Sequence, residues 1–424
     1  MSDVTELTEE QVRTEVRAWL KENWDPDLTV AAWWERLAHS GYAVPTFPED
    51  CFGKGYPRRF ANVVNEEIAT AGAIPPPSGL GYALAAPTIA RHGSREQKDT
   101  FLWRILSGQD AWCQLFSEPG AGSDLASLQC KAELDGDEYV INGQKVWTST
   151  AQLCNLGMLI ARTDPDLPKH AGITYFGFEM RQPGVEVRPL REMTGRALFN
   201  EVFIDDGRVP AENIIGGLNN GWAVANTTLA AERASLGSGG GGAAGAAFPG
   251  PMAGHLERKA GEFVGQVRTG GTGGGGEGMT DRLIKLARST GKGDDPVVRQ
   301  GLARLYILNR IGKFSSLRMR TGAASAGAPN IAKLMMSDLL RLNRELGNQI
   351  IGPDGMIMGQ DTLGGGMVQE MTLFSPGPSI YGGTDQVQRN IIGERVLGLP
   401  KEPGPDKATP FRSLAVGTQN AVAG

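Results

Sequence analysis

The sequence predicts an α+β chain in three parts: a helical unit, a strand unit, and a second helical unit that closes as a bundle. Three observations carry this. Apolar residues recur at three-and-four spacing from about Thr8 to Gln109. From Trp112 the period shortens to alternation between turn residues. From about residue 216 the helical period returns, in longer runs joined by short connections. At 424 residues the chain is long for one core, so several packed units are expected.

In the first unit, Val12, Val16, Trp19 and Leu20 mark one amphipathic helix, and Trp33, Trp34 and Leu37 begin another. Phe60, Val63, Val64, Ile68 and Ala69 mark a third, which stops at Gly72 and Pro75-Pro76-Pro77. Leu84 to Arg91 and Gln97 to Leu106 complete it. The tryptophans here read as core. The strand unit begins at Trp112 to Ser117. Leu128 to Leu134 alternates, Asp135-Gly136-Asp137 is a turn, and Tyr139-Val140-Ile141 meets Asn142-Gly143, a hairpin signal. Asn155 to Arg162, Gly172 to Met180, Val185 to Pro189 and Leu198 to Ile204 follow, and Asp205 to Asn213 reads as an exit loop. Such strands make a small barrel or a sandwich. In the third unit, Trp222, Ala225, Leu229 and Glu232 share a face. Val298, Leu302, Leu305 and Ile311 begin a long helix, and Ile331, Leu334, Asp338, Leu342, Leu346 and Gln349 stripe the next. Thr384 and Asp385 are N-terminal residues of a last helix. Residues 237–278 are rich in Gly and Ala and read as a loop-like insertion with a helical stretch over Gly254 to Val267. Its glycine runs should make it the most mobile part of the bundle. The tail from Lys401 reads as irregular. The divisions are therefore 1–111, 112–215, 216–400 and 401–424.

Composition excludes several classes. A net charge of −5 disfavours a nucleic-acid binder. No apolar run reaches membrane-spanning length. Four cysteines without Cys-x-x-Cys spacing read as buried thiols of a cytoplasmic protein. Four scattered histidines offer no metal-ligand spacing. The polar, acidic N-terminal stretch is neither a secretory signal nor an Arg-rich transit peptide.

Two stretches carry the chemistry. Leu115-Phe116-Ser117-Glu118-Pro119-Gly120-Ala121-Gly122-Ser123-Asp124 runs a strand into a glycine loop with hydroxyls, a shape that lets backbone N–H groups approach a ligand. Asn142-Gly143-Gln144-Lys145-Val146-Trp147-Thr148-Ser149 follows. Together they resemble the middle domain of the acyl-CoA dehydrogenases, flavoenzymes that desaturate acyl thioesters. The order of helical unit, strand unit and four-helix bundle is similar to that family over nearly the whole chain, the glycine-rich insertion and the tail excepted.

The resemblance implies an N-terminal all-α domain, an antiparallel β-barrel and a C-terminal four-helix bundle. It implies FAD lined by Phe116, Ser117, Gly122, Ser123, Trp147 and Ser149. Arg288, Arg299 and Gln300 resemble the region where a neighbouring subunit meets the adenine or pyrophosphate, and a bidentate fork suits Arg to diphosphate; ordinary surface charge is the other reading. Gln349 to Gly352 resembles a family turn, although Pro353 replaces its second glycine and removes a backbone donor. Thr384 and Gln386 match flavin-contacting positions and also suit helix capping.

In Ser379-Ile380-Tyr381-Gly382-Gly383-Thr384-Asp385-Gln386, the position of Gly382 is the catalytic glutamate in many family members. The family's reaction removes a proton beside a thioester carbonyl and passes a hydride from the next carbon to flavin, so another acid is needed. A carboxylate desolvated among apolar groups becomes a competent base. Glu232 lies on an apolar stripe, an expensive place for an unpaired charge. The stripe alone also suits a structural ion pair or a solvated helix end. The Glu232-Arg233 pair resembles the subset, including isovaleryl-CoA dehydrogenases, whose base comes from this helix. Gly382 then keeps a catalytic role through its backbone N–H. Ser123, Arg233, Tyr381 and Gly382 are the substrate-side positions; Ala230 lacks the aspartate that holds pantetheine in some members. The resemblance further implies an acyl-CoA substrate, an electron-transferring flavoprotein as acceptor, and a homo- or hetero-oligomer, commonly a tetramer. A non-catalytic subunit of a hetero-oligomer and a flavin oxidase or monooxygenase on the same fold are the alternatives.

Overall fold

The computed structural model describes residues 7–237, 247–265, 277–323, 326–401 and 408–414. Helix α1 (Glu9–Asn23) starts on a reciprocal cap between Thr8 and Gln11 and buries Val12, Val16 and Leu20. Helices α2 (Val30–His39) and α3 (Arg58–Thr70) add Trp33, Trp34, Leu37, Phe60, Val63, Val64 and Ile68 to the same core. The tryptophans are core, as the pattern requires: Trp33 and Trp34 are fully buried, their indole N–H groups donating to the Ile74 and Pro75 carbonyls. Helix α4 (Ala86–His92) and the helical stretch over 95–106 turn this unit against the strands.

The middle domain is a curled seven-stranded sheet in the order β1-β4-β2-β3-β7-β6, with β5 also on β4. The strands are β1 (Trp112–Leu115), β2 (Lys131–Asp135), β3 (Glu138–Ser149), β4 (Leu156–Arg162), β5 (Ile173–Glu179), β6 (Val185–Leu190) and β7 (Phe199–Pro210). Every residue of β4 is buried, and it reads as an apolar run from Leu156 to Ala161 that ends on Arg162. β1 and β4 pair parallel, a departure from the expected all-antiparallel set. Two further expectations fail here. Asn142-Gly143 does not turn a hairpin; β3 runs straight through it, with a register shift against β7 between Ile141 and Gly143. A Cβ on Gly143 would stand 2.8 Å from the Cys130 Cα, so the glycine serves close approach of the residue just before β2. Asp205 to Pro210 is not an exit loop but the second half of β7. The hairpin lies at Gly136 instead, at φ 69°, between β2 and β3.

The C-terminal helices are α5 (Gly221–Gly237), α6 (Glu277–Ser289), α7 (Pro296–Arg320), α8 (Ala328–Ile351), α9 (Met367–Phe374) and α10 (Asp385–Ile391). Helix α8 is central and packs against the other five. Its buried face matches the expected stripe only in part: Leu346 is buried in the bundle core and Leu342 packs half-buried against it. Ile331 is 52% exposed, whereas Lys333, Ser337, Leu340 and Asn343 are buried, because α10 and its polar N-terminus cover that side. Helix α6 falls partly inside the expected insertion, with Leu283, Leu286 and Ala287 in the bundle core.

The insertion is also not uniformly loose. Parts of its glycine runs lie outside the described residues. Residues 247–265 are packed, with short 3₁₀ turns at Pro251–Ala253 and Ala260–Phe263 in place of the expected helix. Val30 and Ala31 donate backbone N–H groups to the Arg258 and Leu256 carbonyls at 2.8 and 3.0 Å. Ala247, Ala260 and Phe263 join the N-terminal core, and Phe248 joins the sheet core. The segment thus ties the first two domains together.

Candidate active site

Strand β1 delivers the glycine loop. The Glu118 N–H donates to the Ala121 carbonyl at 3.1 Å and the Ala121 N–H returns a bond to Glu118 at 3.0 Å, closing a tight turn around Pro119-Gly120. A buried ion pair rivets that turn to β3. The Glu118 carboxylate accepts from Lys145 Nζ at 2.8 Å and from the Gln129 and Cys130 N–H groups at 2.7 and 3.0 Å. Lys145 Nζ also donates to the Phe116 carbonyl at 3.0 Å, and the Val146 N–H donates to Ser117 at 2.9 Å. Lys145 is fully buried and Glu118 nearly so. Removing one partner strands the other charge, which typically destabilises by about 3–5 kcal/mol. Lys145→Met is therefore expected to lower the urea midpoint strongly, and Glu118→Gln in the same chain to restore part of it. An unchanged midpoint in Lys145→Met would show the pair to be dispensable.

Phe116 is buried, its ring edge-on to Tyr175 at 5.9 Å. Ser117 is half-buried; Gly122 and Ser123 are exposed, and a Cβ at Gly122 would meet open space. Trp147 is 57% exposed, at φ 62°, where β3 slips register against β7 for a second time. A bulky residue at positive φ is a genuine outlier, and such strain concentrates at ligand sites. Beside it the Thr148 hydroxyl is buried with no hydrogen-bond partner among the described residues, and Ser149 is half-buried. An exposed aromatic face, an orphaned hydroxyl and an unobstructed glycine loop fit a planar, amide-bearing cofactor such as FAD.

Glu232 sits on α5. Gln114 of β1 donates Nε2–H to Glu232 Oε2 at 3.3 Å, so the base candidate and the loop meet through one strand. The residue as a whole is half-buried. Burial pushes the Glu232 carboxyl above its ordinary range, with Gln114 and Arg233 opposing. Burial also pulls the Arg233 guanidinium down, with Glu232 opposing. Helix α5 is held at several points below this pair. Thr228 Oγ1 lies 2.9 Å from Thr88 Oγ1 and 3.3 Å from the Tyr175 hydroxyl, and Thr227 Oγ1 lies 2.8 Å from His92 Nε2. A site on rigid elements keeps its geometry.

The Gly382 turn is built on a second buried charge cluster. Gly382 and Gly383 have φ 65° and 78°, and Gln388 Nε2 donates to the Gly382 carbonyl at 2.8 Å. Thr384 caps α10 by accepting from the Val387 N–H at 3.1 Å. Asp385 accepts from Lys333 Nζ at 2.9 Å, Ser337 Oγ at 2.8 Å and Arg341 at 3.0 Å. Burial favours the protonated acid, but these three donors outweigh it and pull the Asp385 carboxyl down to about 2. Tyr381 is half-buried beside Phe374, and burial pushes its phenol up to about 12. Gln386 is exposed, as are Arg288, Arg299, Gln300, Gln349 and Gly352 on the bundle surface. Among the described residues no hydrogen bond joins the Gly382 turn to Glu232; α8 packs against both of their helices. A cleft of about 620 Å³ lined by Gln129, Arg162, Asn219 and Phe411 contains neither residue.

Sequence reasoning missed Gln114, the Glu118–Lys145 pair, Thr148 and the Lys333–Ser337–Arg341 set. The last had a signal: its members are four residues apart, on one helix face, facing the Asp385 already named as a helix-start residue.

Three domain families match along the chain: the acyl-CoA dehydrogenase N-terminal domain over residues 1–109, the middle domain over 113–206 and the C-terminal domain over 268–397. The chain is 36% identical to acyl-CoA dehydrogenase IpdE1 of Mycobacterium tuberculosis, across 93% of this chain and 98% of that protein. It is 33% identical to the mitochondrial isovaleryl-CoA dehydrogenase of Pongo abelii, across 49% of this chain and 50% of that protein. Among solved structures it is similar to the ChsE4-ChsE5 complex from Mycobacterium tuberculosis, at 27% identity and a TM-score of 0.67, covering 95% of this chain and 100% of that one. With helical, sheet and bundle domains all matched in order, this chain belongs to the acyl-CoA dehydrogenase family and is an oxidoreductase.

Proposed function

We propose that this chain is an FAD-dependent dehydrogenase that introduces an α,β double bond into an acyl-CoA thioester, with Glu232 as its base. The observation that carries the reading is the Gln114–Glu232 contact, which sets a carboxyl of raised pKa beside the strand that feeds the glycine loop. Acyl-CoA dehydrogenase family members are FAD-dependent, and bound flavin supplies the acceptor for the substrate's β-hydride. Phe116, Ser117, Gly122, Ser123, Trp147 and Ser149 would hold it, with Thr384 and Gln386 from the bundle. Arg288, Arg299, Gln300, Gln349 and Gly352, all on the bundle surface, would reach the flavin of a neighbouring subunit.

Ser123, Arg233, Tyr381 and Gly382 orient the thioester. Glu232 takes the α-proton at a carboxylate oxygen. The Gly382 N–H donates to the thioester oxygen as negative charge develops there, the role in which one donor is worth about 3–4 kcal/mol. A left-handed turn at Gly382 suits glycine, and a side chain there would carry conformational strain of about 1–2 kcal/mol.

The chain works in an oligomer, a tetramer in this reading. Its support is the outer face of α7, where Tyr306, Ile307, Ile311, Phe314 and Leu317 are all exposed by 47–57%. Electron-transferring flavoprotein is the acceptor. No helix among the described residues is long and apolar enough to cross a membrane, and the four cysteines are free and buried, in keeping with a cytoplasmic protein.

The test is anaerobic bleaching of bound flavin by acyl-CoAs. The purified protein is expected to be yellow, with one FAD per site, and to bleach with at least one acyl chain among short, branched, long and polycyclic ones. A colourless protein that refuses supplied FAD would contradict the reading; uptake only on mixing with a paralogous chain would indicate a hetero-oligomer, the arrangement named for ChsE4-ChsE5. Hydrogen peroxide formed in air at the bleaching rate would indicate an oxidase.

A further inference from the structure

The tail is not irregular throughout. Residues 408–414 return to the middle domain and lie along its loop between β4 and β5. The Phe411 N–H donates to the Leu167 carbonyl and the Arg412 N–H to the Pro165 carbonyl, both at 3.0 Å, and Pro410 bridges antiparallel to Pro168. Arg412 grips the Asp166 carboxylate with Nε and Nη2. The Phe411 ring is buried, its centroid 3.6 Å from the guanidinium carbon of Arg162.

Arg162 is 4% exposed, and its described hydrogen bonds go to carbonyls: Nη1 to Lys169 at 2.7 Å, and Nη2 to Ala126 at 2.7 Å and Leu128 at 3.4 Å. Its Nε has no hydrogen-bond partner among the described residues. The guanidinium thus joins the turn that follows Ser123-Asp124 to the loop under the tail. Lys169 Nζ pairs with Asp124 as a second tie. His170, in that loop, packs edge-on to Trp222 of α5 with ring centroids 4.9 Å apart. An aromatic face over a desolvated cation is the fixed partner that a buried Arg without a carboxylate needs.

We infer that residues 408–414 are a strap which, through Phe411 and Arg162, positions the Ser123-Asp124 loop and so sets the affinity for acyl-CoA. The inference rests on the reading of Ser123 as a substrate contact. Among the described residues no hydrogen bond, ion pair or ring contact joins the strap to Glu232 or Gln114, so binding and proton abstraction separate. Phe411 and Arg162 are positioning residues.

The test uses the full-length holoenzyme and its Phe411→Ala, Phe411→Tyr and Arg412→Gln variants. Steady-state rates are measured with the acyl-CoA that bleaches wild type and a dye acceptor, and amide hydrogen exchange is measured without substrate. Phe411→Ala is expected to raise KM about fivefold to thirtyfold, the range a desolvated cation–π contact supports. Its kcat should stay within about twofold, the pattern of lost binding without lost chemistry. Exchange over residues 124–130 and 164–170 should speed up. Phe411→Tyr should restore both, and Arg412→Gln should speed exchange in the same segments if Phe411→Ala does not fold. Wild-type KM with wild-type exchange in Phe411→Ala would overturn the strap, as would a fall in kcat at constant KM. The exchange readout does not depend on turnover, so an inactive wild type would count against the proposed function and leave the strap to be decided by exchange alone.

Discussion

Glu232→Gln is expected to fold, hold flavin and lose reductive turnover by about 10²–10⁴-fold, the usual contribution of a general base. The substitution is nearly isosteric, and Gln114 can still hydrogen-bond to the amide oxygen, so packing around α5 changes little. What it removes is the proton acceptor. A second signature separates this from a structural defect. Burial raises the Glu232 pKa in the folded chain, so the folded state holds its proton more tightly than the unfolded one. That acid therefore costs stability once the pH rises above the unfolded value of about 4.3. Replacement by a neutral amide should leave the chain as stable at pH 7 as wild type, or more so. Urea unfolding beside single-turnover bleaching reads both. A variant that bleaches at the wild-type rate removes Glu232 from the chemistry. One that loses turnover together with stability assigns it to the framework.

Asp385→Asn is expected to destabilise the chain as strongly as Lys145→Met. It leaves Lys333, fully buried on α8, without its carboxylate and weakens the bonds to Ser337 and Arg341. Burial already pulls the Lys333 amine below its ordinary value, with Asp385 opposing. Loss of one partner from such a cluster typically destabilises by about 3–5 kcal/mol. The Asp385 carboxyl is held down at about 2 in the folded chain, against an unfolded value of about 3.9. Its contribution is thus fully present above about pH 4 and is lost as the pH falls towards 2. Wild type should lose stability across that window more steeply than Asp385→Asn. Because Gly382, Thr384 and Gln386 share the turn, the variant should also bind flavin less tightly. A urea midpoint unmoved at pH 7 would show that the cluster does not hold the turn.

The domain order was legible because hydrophobic period is local: α1, α2 and α3 bury most of the residues their spacing marks, with Trp19 half-buried and Ala69 exposed. Glu232 stands out in the sequence for the same reason, as a charge on an apolar stripe, and its role as base is the proposal made above. Lys145 was not, because β3 slips register twice, at Ile141/Gly143 and at Lys145/Thr148, and alternation cannot be carried across a bulge. Asn142-Gly143 misled for the complementary reason. Its turn propensity yields to tertiary pairing, in which Asn142 hydrogen-bonds Asp206 through both its Oδ1 and Nδ2 atoms at 2.9 Å. The stripe on α8 was misplaced because buried polar residues occupy part of its inner face, and hydrophobicity does not mark them. The strap was beyond reach altogether: Arg412 and Asp166 are 246 residues apart, and nothing in either neighbourhood names the other. Gln114 carries no period and no motif, and its meaning comes only from what stands opposite.

The central claim is that a desolvated Glu232 carboxylate takes the α-proton. The pH dependence of first-turnover flavin bleaching tests it most directly, in wild type and Glu232→Gln with one saturating acyl-CoA. The wild-type rate is expected to climb as a single acid ionises above the ordinary glutamate range, and the slow variant's rate to lack that step. The same ionisation step in both proteins would contradict it and assign the base to another residue.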